Sequence, residues 1–277
     1  MKKLIVLITG ASSGIGKATA ELLSSQGHHV YGTSRKTAGL PEMEAQATNG
    51  SGGFIKMLSM DVTCDTSVET AIQAVLSEEG RVDVLISNAG TGIAGAIEDT
   101  SVEEAKGQLE TNFFGTLRVI QSLLPVMRAQ GYGRIIALSS VAGVISIPYQ
   151  AHYSASKFAM EGLIEALRHE IAPFGIKACL VEPGDTKTGF TQSRLLARKA
   201  SGETAYSERF SRSLARMERD EQNGVPPLDV AKVIARMVTK KNPPIRVAVG
   251  FQYKAILLLK RFLPSRLTEK IVGMLYN

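Results

Sequence analysis

Short runs of apolar, β-branched residues alternate along this chain with longer segments that have helical periodicity. Seven such runs are bounded by turn residues, at residues 4–9, 29–34, 54–60, 82–87, 134–140, 176–182 and 245–249. The helical segments lie at residues 14–26, 66–79, 101–130, 151–172 and 228–240. Apolar strands that alternate with helices are typical of a parallel sheet covered on both faces. The sequence therefore predicts a doubly wound α/β fold with about seven parallel strands and helices on both faces.

Three segments depart from this alternation. Pro125 falls inside the helical segment at residues 101–130, and we expect it to bend or interrupt that helix. Residues 190–220 carry seven basic and four acidic residues with weak helical order, which predicts a lid or substrate lobe. Residues 251–277 form a basic tail of two short amphipathic helices separated at Pro264, with Ser265 as the expected cap of the second. We expect residues 1–250 to form the main part of a single domain, to which the tail also belongs.

Charge is concentrated in this tail. The chain has a net charge of +6, and residues 251–277 hold five basic residues against one acidic residue. Such a cluster favours an anionic partner surface and argues against a nucleic-acid groove. The tail could contact a membrane through residues 256–259, Phe262 and Leu263. Packing on the body or on a second subunit is the alternative, and it is favoured because apolar helical stripes are usually buried.

Composition and apolar run lengths predict the class of protein and its compartment. A chain with 44% hydrophobic and 21% charged residues is typical of a globular protein, and two cysteines cannot form a zinc cage. The apolar run at residues 4–8 is shorter than the core of a signal peptide, and no run approaches the length of a membrane span. We therefore expect a cytoplasmic protein that is at most attached to a membrane surface.

The first predicted strand leads into the first helix through a turn with three glycines. Gly10 allows the tight turn, Gly14 lets a pyrophosphate approach the backbone, and Gly16 permits close packing of helix on strand. The amides and the positive dipole of the helix N-terminus favour an anion there. A structural turn is the alternative. The position of the turn between strand and helix favours a phosphate site.

The end of the second predicted strand selects between cofactors. Residues 31–36 contain no acid and two cations, Arg35 and Lys36. An acid at this point would bind the ribose 2′-hydroxyl of NAD, whereas a basic residue accommodates the 2′-phosphate of NADP. Arg35 can bind a phosphate through two N–H groups, and Ser34 can add a hydroxyl. The sequence therefore predicts NADP(H), with NAD(H) or a solvent-exposed basic loop as the alternatives.

Tyr153 and Lys157 are four residues apart at the start of a predicted helix, so their side chains project from one face. An ammonium beside a phenol lowers the phenol pKa, and the phenol can then act as a general acid or base. An ordinary amphipathic helix surface is the alternative. His152 is a second candidate for this role, but as the neighbouring helical residue it points about 100° away. The four histidines lack metal-binding spacing, so no metal is predicted.

Several motifs follow one another in a fixed order along the chain: TGASSGIG at residues 9–16, Asp61-Val62, Asn88-Ala89-Gly90, Asn112, Ser139-Ser140, Tyr153 with Lys157, and Pro183-Gly184. Together they resemble the short-chain dehydrogenase/reductase family, closest to its hydroxysteroid and retinol dehydrogenase branches. The resemblance spans most of the chain. It implies a Rossmann-type fold and a homodimer or homotetramer formed through the helices at residues 101–130 and 151–172.

The resemblance also implies catalytic roles. Tyr153 would be the acid/base, Ser140 would orient the substrate oxygen, Lys157 would bind the nicotinamide ribose and lower the pKa of Tyr153, and Asn112 would hold a water in a proton relay. Ser140 is chosen over Ser139 because it lies 13 residues before Tyr153, and Ser139 would point to the opposite face of the strand.

The cofactor-binding residues that the resemblance implies include the two catalytic residues Tyr153 and Lys157. The others are Gly10, Ser12, Ser13, Gly14, Ile15, Gly16, Ser34, Arg35, Asp61, Val62, Asn88, Ala89, Gly90, Pro183, Gly184, Thr186 and Thr188. Thr186 stands where the family often has a branched aliphatic residue, so the local geometry there is open.

The apolar residues 142–149 directly follow Ser140, which predicts a lipophilic carbonyl or alcohol substrate such as a steroid, retinoid or fatty-acyl chain. A buried support for the catalytic helix is the alternative for this loop.

The leading functional interpretation is an NADP(H)-dependent oxidoreductase. An NAD-dependent dehydrogenase and a catalytically idle dinucleotide-binding sensor are the alternatives.

Overall fold

The structure is a computed structural model that describes residues 2–35 and 52–276. Lys36, the second cation at the end of the second strand, lies outside the described residues. Within them, seven parallel strands form one sheet in the order β3-β2-β1-β4-β6-β7-β9, and a short parallel pair, β5 with β8, lies apart from it. The strands are β1 Ile5–Ile8, β2 His29–Ser34, β3 Phe54–Ser59, β4 Val84–Ser87, β5 Ile93–Ala94, β6 Gly133–Leu138, β7 Ile176–Glu182, β8 Leu195–Leu196 and β9 Arg246–Ala248. All seven predicted strands are confirmed.

Helices cover both faces of the main sheet. They are α1 Gly14–Ser25, α2 Asp65–Glu79, α3 Val102–Leu109, α4 Gly115–Gln130, α5 Ala151–Ile171, α6 Phe190–Ser193, α7 Ser207–Gln222, α8 Pro227–Thr239, α9 Phe251–Phe262 and α10 Ser265–Tyr276. One buried apolar cluster joins the sheet to α2, α4 and α5, and a second joins its other face to α1 and α8. Because the central strands β1, β4 and β6 are buried along their whole length, the sheet is stable only between these two layers. The doubly wound fold is therefore confirmed.

The long helical segment predicted at residues 101–130 is interrupted, but not at Pro125. A π-helical turn at Glu110–Phe114 separates α3 from α4, and α4 runs through Pro125 without ending. Proline has no N–H group to donate to the Gln121 carbonyl, and because Pro125 and Gln121 are both exposed, water can bind that carbonyl instead. The expected interruption at Pro125 is therefore wrong, because the helix tolerates a proline on its solvent face, while a bend at Pro125 stays a prediction.

The substrate-lobe segment contains more helix than its sequence indicates. Residues 207–222 form α7, a helix of 16 residues that buries Phe210, Ser213 and Met217. The expectation of weak helical order is therefore wrong for this part. The helix α7 has few apolar residues, so its sequence alone gives only a weak helical signal. The helix is stabilised because its apolar residues pack against the rest of the protein.

The tail forms the two predicted helices, α9 and α10, on either side of Pro264. The second helix begins at Ser265 itself, and the Pro264 carbonyl accepts hydrogen bonds from the amides of Leu267 and Thr268. Ser265 is thus the first helical residue and not its cap, which corrects the prediction.

In the described part of the chain, no helix is both long and apolar enough to cross a membrane. The division of the chain at residue 250 stays a prediction.

Candidate active site

A cavity of about 970 Å³ opens at the carboxyl ends of the parallel strands. In the sheet order, β1 and β4 are the neighbours from which the chain winds in opposite directions. The loops after these two strands diverge and leave a crevice, which is where ligands bind in doubly wound sheets. The topology therefore places the cavity, and the residues that line it determine what it can bind.

Most of the predicted site residues line this one cavity. From the predicted set it includes Gly10, Ser12, Ser13, Gly14, Ile15, Ser34, Arg35, Asp61, Val62, Asn88, Ala89, Gly90, Ser140, Tyr153, Lys157, Pro183, Gly184, Thr186 and Thr188. Gly16 and Asn112 are the two predicted residues that are not part of its lining. Both lie directly behind it and shape its walls.

The glycine turn after β1 forms a cradle for an anion. Gly10 and Gly14 have φ angles of +67° and +54°, a conformation that side chains disfavour. Ser13 precedes α1, but its side chain makes no capping hydrogen bond, so the first amides of the helix are left for another acceptor. These features fit a dinucleotide pyrophosphate at the start of α1.

Asn88 fixes the shape of this turn. Its amide group donates to the carbonyls of Thr9 and Gly10 at 2.9 and 3.0 Å, and its backbone N–H donates to the Thr9 hydroxyl at 2.9 Å. Gly16 packs against the same groups, because a Cβ atom there would lie 2.4 Å from the Gly10 oxygen and 2.5 Å from Asn88 Nδ2. The turn can therefore keep its position only with glycine at residue 16.

Arg35 and Asp61 lie at the other end of the cavity, beyond β2 and β3. Asp61 accepts hydrogen bonds from the backbone and hydroxyl of Thr63 at 2.9 and 2.8 Å. These bonds and the nearby positive charges of Arg35 and Arg118 lower the pKa of Asp61 against the effect of burial. Arg35 is exposed at the rim. The rim thus carries a guanidinium at the place where an adenosine ribose would extend from the cradle.

Tyr153, on the first turn of α5, lies in the middle of the cavity. Burial raises the pKa of Tyr153 to about 12, and a hydrogen bond with Ser140 partly opposes this rise. Ser140 follows β6 and also accepts a hydrogen bond from the Ala142 amide at 3.1 Å, which orients its hydroxyl. Ser139 lies against Gly143 instead. Of the two serines, Ser140 is therefore the one that contacts the phenol.

Lys157 lies one turn further along α5 and is buried. Its ammonium donates to the Leu138 carbonyl at 2.7 Å and lies 5.7 Å from the centre of the Tyr153 ring. Burial lowers the pKa of Lys157 to about 8. Burial dominates the pKa of Tyr153, and the lowering of that pKa by Lys157 stays a prediction.

Asn112 lies in the π-helical turn and is fully buried. Its side chain bonds both the N–H and the carbonyl of Thr91, at 2.9 and 3.0 Å, and donates to the Ser156 hydroxyl at 3.1 Å. The side chain therefore ties the loop after β4 to α5, next to Tyr153. Its role in holding a relay water stays a prediction.

The loop after β7 forms the side of the cavity that faces the cradle. Thr188 lies against Gly14, since a Cβ there would be 3.4 Å from the Thr188 side chain. Thr186 forms a β-bridge with Val225 and bonds the Gly184 carbonyl through its hydroxyl at 3.0 Å. Backbone pairing thus holds this segment in place, which resolves the local geometry that the sequence left open at Thr186.

Residues 190–221 place an aromatic ring and an ion pair beside Tyr153. The Phe190 ring lies 5.7 Å from the Tyr153 ring. Behind it, Arg194 pairs with Glu221, which also accepts a hydrogen bond from Thr191 at 2.6 Å. The sequence indicated a lobe at residues 190–220 but no individual residues, because Glu221 lies beyond its predicted end and no spacing links Phe190 to Tyr153.

The tail also contributes to the cavity, which the sequence did not indicate. Tyr253 of α9 packs its ring on Gly184, and its hydroxyl donates to an Asp185 carboxylate oxygen at 2.6 Å. Tyr276 of α10 lines the same wall, where burial raises its pKa to about 12. Burial also raises the pKa of Asp185. The cavity is therefore closed by residues that lie about 70 to 90 positions away from Asp185 in the sequence.

Comparisons with known proteins match nearly the whole chain. The family model described as "short chain dehydrogenase" matches residues 4–199. A 3-ketodihydrosphingosine reductase of Bacteroides thetaiotaomicron is 45% identical over 277 residues, 100% of this chain and 99% of that protein. Retinol dehydrogenase 8 of Bos taurus is 34% identical over 270 residues, 94% of this chain and 86% of that protein. The solved structure "ElxO with NADP Bound" has a TM-score of 0.74 and 28% identity, covering 92% of this chain and 100% of that one.

Proposed function

Because the chain belongs to the short-chain dehydrogenase/reductase family, whose oxidoreductases use a nicotinamide dinucleotide, we propose that it reduces a long-chain amino ketone with NADPH. One observation carries the proposal. Tyr153, Ser140 and Lys157 share a cavity with the glycine cradle and with Arg35. A proton donor, a dinucleotide site and a basic residue for the 2′-phosphate are therefore together in one crevice.

The proposed chemistry assigns one task to each side chain. When bound, the dinucleotide supplies the hydride that reduces the carbonyl carbon. Tyr153 donates its phenolic proton to the carbonyl oxygen, and Ser140 holds that oxygen by a hydrogen bond as negative charge develops. Lys157, with its pKa near 8, is positively charged at neutral pH and favours the phenolate that Tyr153 becomes. Phe190 covers the ring and excludes water.

The cofactor preference rests on Arg35 and Ser34 at the end of β2. The cavity reaches both residues, and in the part of the chain that the structure describes no acid follows β2 directly. The similar ElxO structure, solved with NADP bound, supports this preference. An NAD-dependent dehydrogenase is the alternative, and it requires that Arg35 contribute little to binding.

Replacing Arg35 with alanine should raise the KM for NADPH about tenfold, because a charge-assisted hydrogen bond to the 2′-phosphate is lost. The KM for NADH should change by less than about twofold, since NADH has no phosphate there. Initial rates with each dinucleotide measure both values. Lys17→Ala is the matched control, because it removes an exposed cation of α1 that does not line the cavity. Equal effects of Arg35→Ala on both cofactors would contradict the NADP assignment.

The proposed substrate class rests on two observations, the name of the Bacteroides thetaiotaomicron relative and the acidic residues in the cavity wall. The 3-ketodihydrosphingosine of that relative is a long-chain ketone with an amino group beside its carbonyl. Here the wall next to Tyr153 carries Asp185 and Glu221, whose negative charges raise the Tyr153 pKa further. Glu221 is paired with Arg194, whereas the side chain of Asp185 is bonded by the neutral phenol of Tyr253. We therefore assign Asp185 to the substrate's ammonium group.

Asp185→Asn should raise the KM for a long-chain 2-amino ketone about tenfold, because the ammonium loses a charged hydrogen-bond partner. The KM for the same ketone without its amino group should stay within about twofold. Both follow from NADPH consumption in steady state. Asp220→Asn is the matched control, since Asp220 is a nearby carboxylate that pairs with Arg216 and does not line the cavity. A similar loss with both ketones would show a structural role for Asp185 only.

A panel of ketones tests the proposal as a whole. NADPH consumption is measured with the long-chain amino ketone, a steroid, a retinal and a small polar carbonyl. We expect the highest kcat/KM for the first. Tight NADPH binding without turnover of any substrate would instead favour the dinucleotide-binding sensor.

We further propose a cytoplasmic homodimer or homotetramer formed through α4 and α5.

A further inference from the structure

The first tail helix, α9, presents an apolar stripe to solvent. Residues 251, 255, 258, 259 and 262 follow the spacing i, i+4, i+7, i+8 and i+11, which places them on one helix face. Phe251 is 88% exposed and Phe262 is 76% exposed, and Leu258 and Leu259 are also exposed. The opposite face of α9 holds Tyr253, which is buried on the body. The helix thus packs with one side and leaves its apolar stripe uncovered.

The second tail helix repeats this arrangement. In α10, Leu267, Ile271, Met274 and Leu275 follow the spacing i, i+4, i+7 and i+8. All four are exposed, and Met274 is 67% exposed. Tyr276, off this stripe, lines the cavity. Each tail helix therefore has an inner side that closes the cavity and an outer apolar stripe.

Positive charges border both stripes. Lys254 and Arg261 lie along one edge of the α9 stripe, and Arg266 and Lys270 lie along the corresponding edge of the α10 stripe. All four side chains are exposed. Glu269, the one acid of residues 251–277, lies off the α10 stripe. An apolar stripe with cations along its edge fits a surface that is apolar below a layer of negative charge.

This charge distribution distinguishes between the occupants that could cover the stripes. A second copy placed on the same face would bring two strongly basic tails together, and like charges repel. An anionic lipid surface instead places head groups beside the cations and acyl chains beside the apolar side chains. Lys260 does not belong to this set, because its ammonium lies 5.7 Å from the Phe158 ring on the packed side.

We propose that the outer faces of α9 and α10 form a docking surface for an anionic lipid bilayer. The two helices lie on the bilayer, and their inner tyrosines, Tyr253 and Tyr276, line the catalytic cavity. A membrane-embedded substrate would therefore meet the cavity directly beside the docking surface. The proposal concerns binding to lipid and holds whether or not the assigned substrate is correct.

Vesicle flotation tests the proposal with the full-length protein. We expect the protein to float with phosphatidylcholine vesicles that contain phosphatidylglycerol, and to float much less with phosphatidylcholine alone. Phe262→Ser and Met274→Ser should each weaken binding to the anionic vesicles about tenfold, because an apolar side chain no longer enters the bilayer. Lys254→Gln combined with Arg261→Gln should weaken it by a similar factor.

Two measurements keep the variants interpretable. Ile97→Ser is the matched control, since Ile97 is an exposed apolar residue outside the tail, and it should float like the parent protein. Unchanged NADPH binding shows that each variant is folded. Failure of the parent protein to float, or equal flotation with both vesicle types, would overturn the proposal. A dimer in sedimentation that Phe262→Ser dissociates would overturn it too, because a second copy would then cover the stripe.

Discussion

Tyr153→Phe should lower kcat for reduction about a thousandfold, because the proton donor is removed while the rest of the site stays in place. With its pKa raised to about 12, the phenol is protonated at neutral pH and is available as a donor. The phenylalanine ring keeps the packing against Phe190, 5.7 Å between ring centres. NADPH affinity should change by less than about threefold, since the lost hydroxyl bonds Ser140 and is assigned to the substrate.

Stopped-flow fluorescence for NADPH binding and steady-state rates for turnover separate the two effects. Tyr132→Phe is the matched control, because Tyr132 is a surface tyrosine outside the cavity and its loss should leave kcat unchanged. Retention of more than about a tenth of the parent kcat in Tyr153→Phe would contradict the role of Tyr153. Lys157, whose pKa is near 8, would then be the next donor to test.

Gly16→Ala should lower the free energy of unfolding by about 1–3 kcal/mol, because the added methyl group overpacks the turn. It should also weaken NADPH binding at least about tenfold, since the cradle amides must move. The added Cβ would lie 2.4 Å from the Gly10 carbonyl oxygen and 2.5 Å from Asn88 Nδ2. Neither can withdraw freely, because Asn88 bonds the carbonyls of both Thr9 and Gly10.

Gly162→Ala provides the matched control for this substitution. Gly162 is also inside a helix, but it is exposed and no atom lies within 4 Å of a Cβ built there. Alanine should therefore stabilise α5 by about 0.5–1 kcal/mol through helix propensity. Thermal unfolding and NADPH titration of both variants measure the difference. Unchanged NADPH binding in Gly16→Ala would show that the turn shifts without disturbing the cofactor site.

The sequence determined the fold because its strands and helices have local signatures. Apolar β-branched runs and helical periodicity predicted all seven main strands, and the strand ends placed the glycine turn, Asp61 and Asn88 at one edge of the sheet. In a parallel sheet the carboxyl ends of all strands lie on the same side, so residues that follow strands meet there. The i, i+4 spacing likewise placed Tyr153 and Lys157 on one face of α5.

Local sequence patterns gave wrong or incomplete predictions where the tertiary neighbours of a residue decide its conformation or its pKa. The helix α4 continues through Pro125, whose lost hydrogen bond lies on a face exposed to water. The pKa of Tyr153 depends mainly on burial of the phenol, which the spacing of residues in the sequence does not report.

Only the tertiary structure brought Phe190, Asp185 and the tail tyrosines into the cavity that holds Tyr153. Tyr253 contacts Asp185 across 68 residues of sequence, and this contact requires that α9 pack on the loop following β7. Such contacts depend on the relative position of whole elements, and this is set by the packing of both sheet faces and not by any local pattern. The sequence alone thus determined the fold, the cradle and the reactive pair, while packing decided what closes the cavity and which face of the tail meets solvent.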